Sequence, residues 1–134
     1  MSGVGAYLEP KILGVTLCNS SYTMPSTLWV ALCTSVTSDG LSLSEVSTGR
    51  GYSRAPWVGG EPVGPISYYV PNSITLSYGP ATSLWGTVAY ATLVDTSTIG
   101  SGNCHYWGAL DSSRNVLSGD SLSFAVGSLT VTLD

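Results

Sequence analysis

The chain has 134 residues and a mass of 13.9 kDa, which suits a single domain. Charged residues make up only 9% of it, and eight acidic side chains face four basic ones, for a net charge of −4. That balance cannot build a phosphate-tracking surface, no apolar run reaches the ~18 residues of a membrane span, and a hydrophobic content of 43% argues against disorder.

Residues 1–6 contain two glycines and read as an N-terminal arm. The start, MSGVGAYLEP, has neither a basic region nor an apolar core and does not read as a secretory signal. Residues 6–19 predict the only helix. Tyr7, Leu8, Ile12 and Val15 form a loose stripe, Pro10 fits a first turn, and Asn19 begins the exit. The run from Thr27 to Thr34, TLWVALCT, reads as a strand buried on both faces. Residues 35–50 are rich in Ser, Thr and Gly and read as a loop that tightens at Asp39-Gly40.

Residues 51–58 can extend, but Pro56 confines them to an edge. Segment 59–65, GGEPVGP, reads as irregular. Ile66, Tyr68 and Val70 alternate with polar or aromatic neighbours, as do Ile74, Leu76 and Tyr78, and both patterns predict half-buried strands. Gly79-Pro80 predicts a turn. Residues 85–95 predict the longest strand, and residues 104–110 the next. Asp111-Ser112-Ser113-Arg114-Asn115 reads as a turn before a short apolar pair, Val116-Leu117. Leu122, Phe124 and Val126 then alternate, Gly127 marks a bend, and Leu129, Val131 and Leu133 alternate again. Short strands with turn signals between them predict one all-β domain over residues 1–134: an antiparallel, jelly-roll-like sandwich with one short N-terminal helix.

Catalytic and metal-binding chemistry finds little to work with. His105 is the only histidine, no G-x-S-x-G elbow is present, and a lone strand histidine reads as structural. The acids Asp39, Glu45, Glu61, Asp95, Asp111 and Asp120 are read as turn residues bonding their own backbone. Cys18, Cys33 and Cys104 lack metal-ligand spacing and read as small buried hydrophobes. No enzyme activity, cofactor or metal is expected. The aromatic residues are the conspicuous set. Trp57, Tyr68, Tyr69, Tyr90 and Trp107 are candidates for an oligomer interface or for stacking on sugar rings.

Four stretches together resemble a small phage virion protein family often labelled tail fibre protein. Tyr7 to Leu13 resembles its short helix, and Thr27-Leu28-Trp29-Val30-Ala31-Leu32 with Thr34 its "tlyvaL-t" strand. Glu45-Val46 followed by Gly51-Tyr52-Ser53-Arg54 resembles its "tEvsgggYaR" stretch. Trp85-Gly86-Thr87-Val88, Trp107-Gly108-Ala109-Leu110, Ser118-Gly119-Asp120 and Leu129-Thr130-Val131-Thr132-Leu133 resemble its C-terminal half. Arg50 interrupts the usual glycine run, and four prolines between 56 and 71 depart from a Ser/Ala-rich segment.

The resemblance implies a non-enzymatic virion structural protein made in the host cytoplasm. With no shaft repeat or coiled coil, the chain resembles a capsid decoration (cement) protein more than a complete fibre. That implies a homotrimer on the outer capsid surface, bound to the major capsid protein or other virion proteins. The alternative is a receptor-binding module at the tail that recognises host surface glycans. A surface with so little charge is expected to be covered by copies of the chain or by a partner.

Overall fold

The computed structural model describes residues 3–64 and 69–132. Strand β1 (Gly3–Val4) precedes helix α1 (Glu9–Leu17), and nine strands follow. These are β2 (Trp29–Val36), β3 (Leu43–Glu45), β4 (Ala55–Pro56), β5 (Tyr69–Pro71), β6 (Leu76–Tyr78), β7 (Gly86–Val94), β8 (Cys104–Val116), β9 (Leu122–Phe124) and β10 (Thr130–Thr132).

Six strands form the main antiparallel sheet in the order β1-β8-β7-β2-β3, with β4 sharing the outer edge of β2. Two ribbons, β5 with β10 and β6 with β9, complete the fold. The core joins the layers: Val30 and Leu32 of β2 and Ala91 and Leu93 of β7 pack in one cluster with Leu76, Tyr78 and Val131 of the ribbons. The ribbons therefore cover one face of the sheet, and the arrangement is sandwich-like, as the alternating patterns predict. The other face is closed too, since Ala31, Cys33, Thr92 and Val94 are fully buried. An apolar run with no polar side is what such a doubly covered strand requires.

A chain of rings crosses the core. Trp85 meets Tyr52 edge-on at 5.5 Å, Tyr52 stacks on Tyr78 at 6.2 Å, and Tyr78 meets Phe124 edge-on at 6.2 Å. Each polar handle is satisfied: Tyr78 donates to the Val30 carbonyl (3.0 Å) and the Trp85 indole to the Arg50 carbonyl (2.7 Å).

The N-terminal segment is tied to the sheet by close backbone approach. Gly3 and Val4 pair with Trp107 and Tyr106, and the Gly5 amide donates to the His105 carbonyl at 2.8 Å. A Cβ on Gly5 would strike the Cys104 carbonyl oxygen. Gly40, at φ +70, would push a Cβ against Trp107 (3.0 Å) and the Gly5 backbone (3.3 Å), so the turn after β2 also needs glycine.

Three expectations are corrected. The helix lies inside its predicted span, with Pro10 in its first turn and Asn19 at φ +54 ending it, but none of its residues is buried. Leu8 ahead of it is buried, whereas Leu13, Val15 and Leu17 face outward. Residues 111–115 are not a turn. They continue β8, which at 13 residues is longer than β7, because Arg114 and Asn115 pair with Val88 and Thr87 beyond a bulge while the polar side chains stay in solvent. Segment 35–50 is a loop only in part, since β2 runs to Val36 and β3 folds back on it around Asp39-Gly40. The predicted alternation at Ile66 and Tyr68 lies outside the described residues, as does Leu133.

Candidate functional site

Glu45 ends β3, and Arg54 immediately precedes β4. Both strands lie along the outer edge of β2, which brings the two charges together. Their side chains are 6% and 1% exposed respectively. The guanidinium grips the carboxylate with two donors, Nε to Oε1 at 2.8 Å and Nη2 to Oε2 at 2.7 Å. Its Nη1 donates to the carbonyls of Thr96 and Ser101 at 2.7 and 2.9 Å. The carboxylate also accepts from the Tyr52 hydroxyl (2.7 Å) and the Gly100 amide (3.0 Å), and Tyr52 in turn accepts from the Leu32 amide (3.0 Å).

Burial alone would raise the Glu45 pKa. The bonds from Arg54, Tyr52 and Gly100 outweigh it and hold the carboxyl below the usual carboxylate value. Burial and the adjacent carboxylate push the Tyr52 phenol well up. Such a satisfied, locked network fixes the loop 96–102 against the sheet edge and has no free valence for chemistry. Glu45 is thus not a turn acid, contrary to expectation. Asp39 and Asp120 are, accepting from the Leu41 and Leu117 amides at 3.0 Å, and Asp95 accepts from the Asn103 amide at 2.8 Å.

His105 is fully buried. Its Nδ1 lies 3.1 Å from the Asn103 carbonyl, which can only accept, so Nδ1 carries the hydrogen. Nε2 then accepts from the Tyr22 hydroxyl at 2.8 Å. Tyr7 packs on the imidazole at 5.3 Å, and Lys11 sits 4.2 Å above the Tyr7 ring. Both ring nitrogens hold structure, in line with the reading of a structural histidine.

Cys33 and Cys104 are buried and their thiols are pushed up to about 12 by burial, which keeps them protonated and inert. Cys18 is exposed, against expectation, at the end of a helix that buries none of its residues. Among the described residues no group of three or more His, Cys, Asp or Glu side chains gathers at metal-binding distance.

The predicted aromatics are dispersed. Trp57 packs against the core beside β4, Tyr69 lies on β5, Tyr90 on β7 and Trp107 on β8. All four are half-buried, and no ring contact among the described residues joins any two of them. Tyr68 lies outside the described residues. The Trp107 indole N–H is buried without an acceptor among the described residues. Sequence reasoning did not single out two features of the surface. Large apolar side chains stand exposed, led by Leu17 (77%), Leu41 (68%), Val126 (61%) and Leu13 (56%). A groove of about 410 Å³ opens beside β8.

This set of features has one common character: buried polar groups that lock structure, and apolar groups left outside. A protein-family model described as "Podophage GP4 fiber I protein gp80" matches residues 3–132. The chain belongs to this family. It is a phage fibre-type structural protein and a component of the virion. No curated protein matches it. Within the family match lie all the parts of the buried network. The "tEvsgggYaR"-like stretch supplies Glu45, Tyr52 and Arg54, so its charged and aromatic letters are the acceptor, the bridge and the donor of one fold-locking cluster.

Proposed function

We propose that the protein is a non-enzymatic building block of a tail fibre, seated there by apolar surface that other subunits cover. The observation that carries this reading is the exposed apolar surface on a nearly uncharged chain. Leu13 and Leu17 stand one turn apart on a helix that buries none of its residues, and Leu41, Leu84, Leu117 and Val126 add to them. Isolated exposed apolar residues are ordinary, but this many on a chain with 9% charge suit a surface that is covered in the particle. The family description supports the fibre location. A homo-oligomer is the expected assembly, with three copies as the sequence reading has it. Capsid decoration is the second reading, since the same apolar and nearly uncharged surface would suit a cover over neighbouring shell subunits.

Gold-labelled antibody on intact virions separates the two. Label confined to the tail vertex is expected; label over the whole shell establishes decoration instead, and no label on particles overturns both. Self-association has its own test. Leu13→Lys combined with Leu17→Lys is expected to abolish the oligomer seen by light scattering. Both side chains are exposed, so the urea midpoint should move by no more than the equivalent of about 0.5 kcal/mol. An oligomer that survives the double substitution removes α1 from the interface.

A further inference from the structure

Both ends of the main sheet carry exposed apolar side chains. Strand β7 separates the ends by about 26 Å, at roughly 3.3 Å per residue from Gly86 to Val94. At the Gly86 end, the loop before β7 and the loop after β8 are stitched together. The Gly119 amide donates to the Ala81 carbonyl (2.7 Å), the Trp85 amide to the Val116 carbonyl (3.0 Å) and the Ser118 hydroxyl to the Thr82 carbonyl (3.3 Å). Leu84 and Leu117 stand exposed on these two loops. At the Val94 end, Trp29 lies opposite Val94 and pairs with Pro56, so the chain after β4 continues past the same end. There Asn72, 1% exposed, clamps three loops. Its side-chain amide donates to the carbonyls of Ile74 (2.8 Å) and Ala125 (3.0 Å), its Oδ1 accepts from the Leu129 amide (2.9 Å), and its backbone carbonyl accepts from the Gly127 amide (2.9 Å). The amide and hydroxyl of Ser73 both donate to the Val58 carbonyl, at 2.8 and 3.1 Å. Val58, Ile74 and Val126 stand exposed around this node. Such a satisfied node holds the three loops in one arrangement before a partner arrives, which lowers the ordering cost of docking.

The two ends also differ in charge. Arg50 lies beside Leu84, donating to its carbonyl through Nη1 at 2.6 Å, and its other donors have no partner among the described residues. Arg114 is near the same end, opposite Val88, while Asp120 there is occupied by the Leu117 amide of its own turn. At the other end, Glu61 follows the bridge between Gly59 and Asn72 and has no partner among the described residues. Asp95, just past β7, adds a second acid, bonded to Asn103. Lys11 does not offset them on the ribbon side. It sits over Tyr7, which packs on His105, and His105 points away from the ribbons because its neighbour Tyr106 packs towards them. One end thus carries two bases and one acid, and the other carries two acids.

We propose that copies of the chain stack end to end, with Leu84 and Leu117 of one copy seated on Val58, Ile74 and Val126 of the next, and Arg50 facing Glu61 of the next copy. Each end offers apolar side chains that prefer to leave water, and the opposite charges set the polarity of the contact. Two unlike surfaces meet, so the contact is heterologous. Every copy then keeps one end free for another, and the stack lengthens without any repeat inside the chain. The contact is separate from α1, whose exposed leucines belong to neither end. The proposal rests on the reading of the protein as a building block of a fibre, and it adds the surfaces by which one block meets the next.

The test is sedimentation velocity of the whole protein over a wide concentration range, in the Leu13→Lys, Leu17→Lys background so that any association through α1 is removed. The average particle size is expected to keep rising with concentration. Leu117→Asp at one end and Val126→Lys at the other are each expected to weaken this association at least tenfold, because each sets a charge against an apolar surface. All substituted positions are exposed, so unchanged urea midpoints confirm folding. Mixing the two end variants is the decisive step. Each retains the end that the other has lost, so an equimolar mixture is expected to form pairs that neither variant forms alone. Arg50→Glu and Glu61→Arg are each expected to weaken stacking, and the two together in one chain to restore it. The proposal is overturned if the protein stays at one fixed size at every concentration, if only one of the two ends matters, or if the mixture recovers no pairs. Gold labelling of virions keeps this proposal apart from the fibre reading. Label at the tail vertex with no end-to-end association sinks the stacking and leaves the fibre, whereas an absence of label on particles sinks the fibre whatever the ends do.

Discussion

Arg54→Ala is expected to cost about 3–5 kcal/mol of folding stability, a large share of the roughly 5–15 kcal/mol that a domain possesses. The cost does not come from losing a favourable ion pair, since a buried pair is seldom better than well-packed apolar residues. It comes from what is left behind. Glu45 keeps a side chain that is 6% exposed but loses two of its donors, and the Thr96 and Ser101 carbonyls lose theirs. Urea unfolding of wild type and variant measures the difference, and a loss below about 1 kcal/mol would mean that water enters and replaces the guanidinium.

The pH dependence carries the sign of the same network. The Glu45 pKa is depressed in the folded protein, so the unfolded chain binds its proton first as pH falls. The stabilisation is full above the unfolded carboxylate value of about 4.3 and is lost as pH falls through the lower folded value. In Arg54→Ala, burial acts on Glu45 without its strongest partner, the folded pKa rises toward the unfolded value or past it, and the stability lost on acidification is expected to shrink. Urea midpoints taken between neutral and acid pH check the direction: an acid-side loss of equal size in both proteins rules out Glu45 as its source.

Much of the fold was legible because burial leaves marks in the sequence. TLWVALCT has no polar face, and β2 is covered on both sides with Val30, Ala31, Leu32 and Cys33 fully buried. The alternation of Leu122 with Phe124 and of Leu129 with Val131 likewise matches two short strands with inward apolar side chains. What failed had other causes. Asp-Ser-Ser-Arg-Asn has the composition of a turn, but composition reports exposure, and an exposed sheet edge looks the same. The helix stripe implied a buried face, yet only Leu8 ahead of the helix is buried and Ile12 is no more than half-buried. The Glu45–Arg54 cluster was visible only as motif letters, because nothing in a single chain says that charges nine positions apart meet across strand edges. The groove depends on a register slip between β7 and β8, and alternation within one strand does not encode the partner's register.

Trp85→Ala is expected to match the loss at Arg54, at about 3–5 kcal/mol, the range for deleting a large buried aromatic. Trp85 is 4% exposed and begins the ring chain that runs through Tyr52 and Tyr78 to Phe124. Its removal leaves a cavity against Tyr52 and deprives the Arg50 carbonyl of its indole donor. Trp85→Phe separates the two effects: it retains a ring against Tyr52 but no donor, and the expected loss is smaller, at about 1–3 kcal/mol. Equal losses in both variants would place the energy in the hydrogen bond to Arg50 and not in the ring. The consequence reaches the surface, because Phe124 ends the chain of rings and also lines the groove beside β8. A core loosened at Trp85 should therefore broaden the resonances of residues 122–125 before those of β2. The groove is thus braced from within, by the same rings that hold the β6–β9 ribbon against the main sheet.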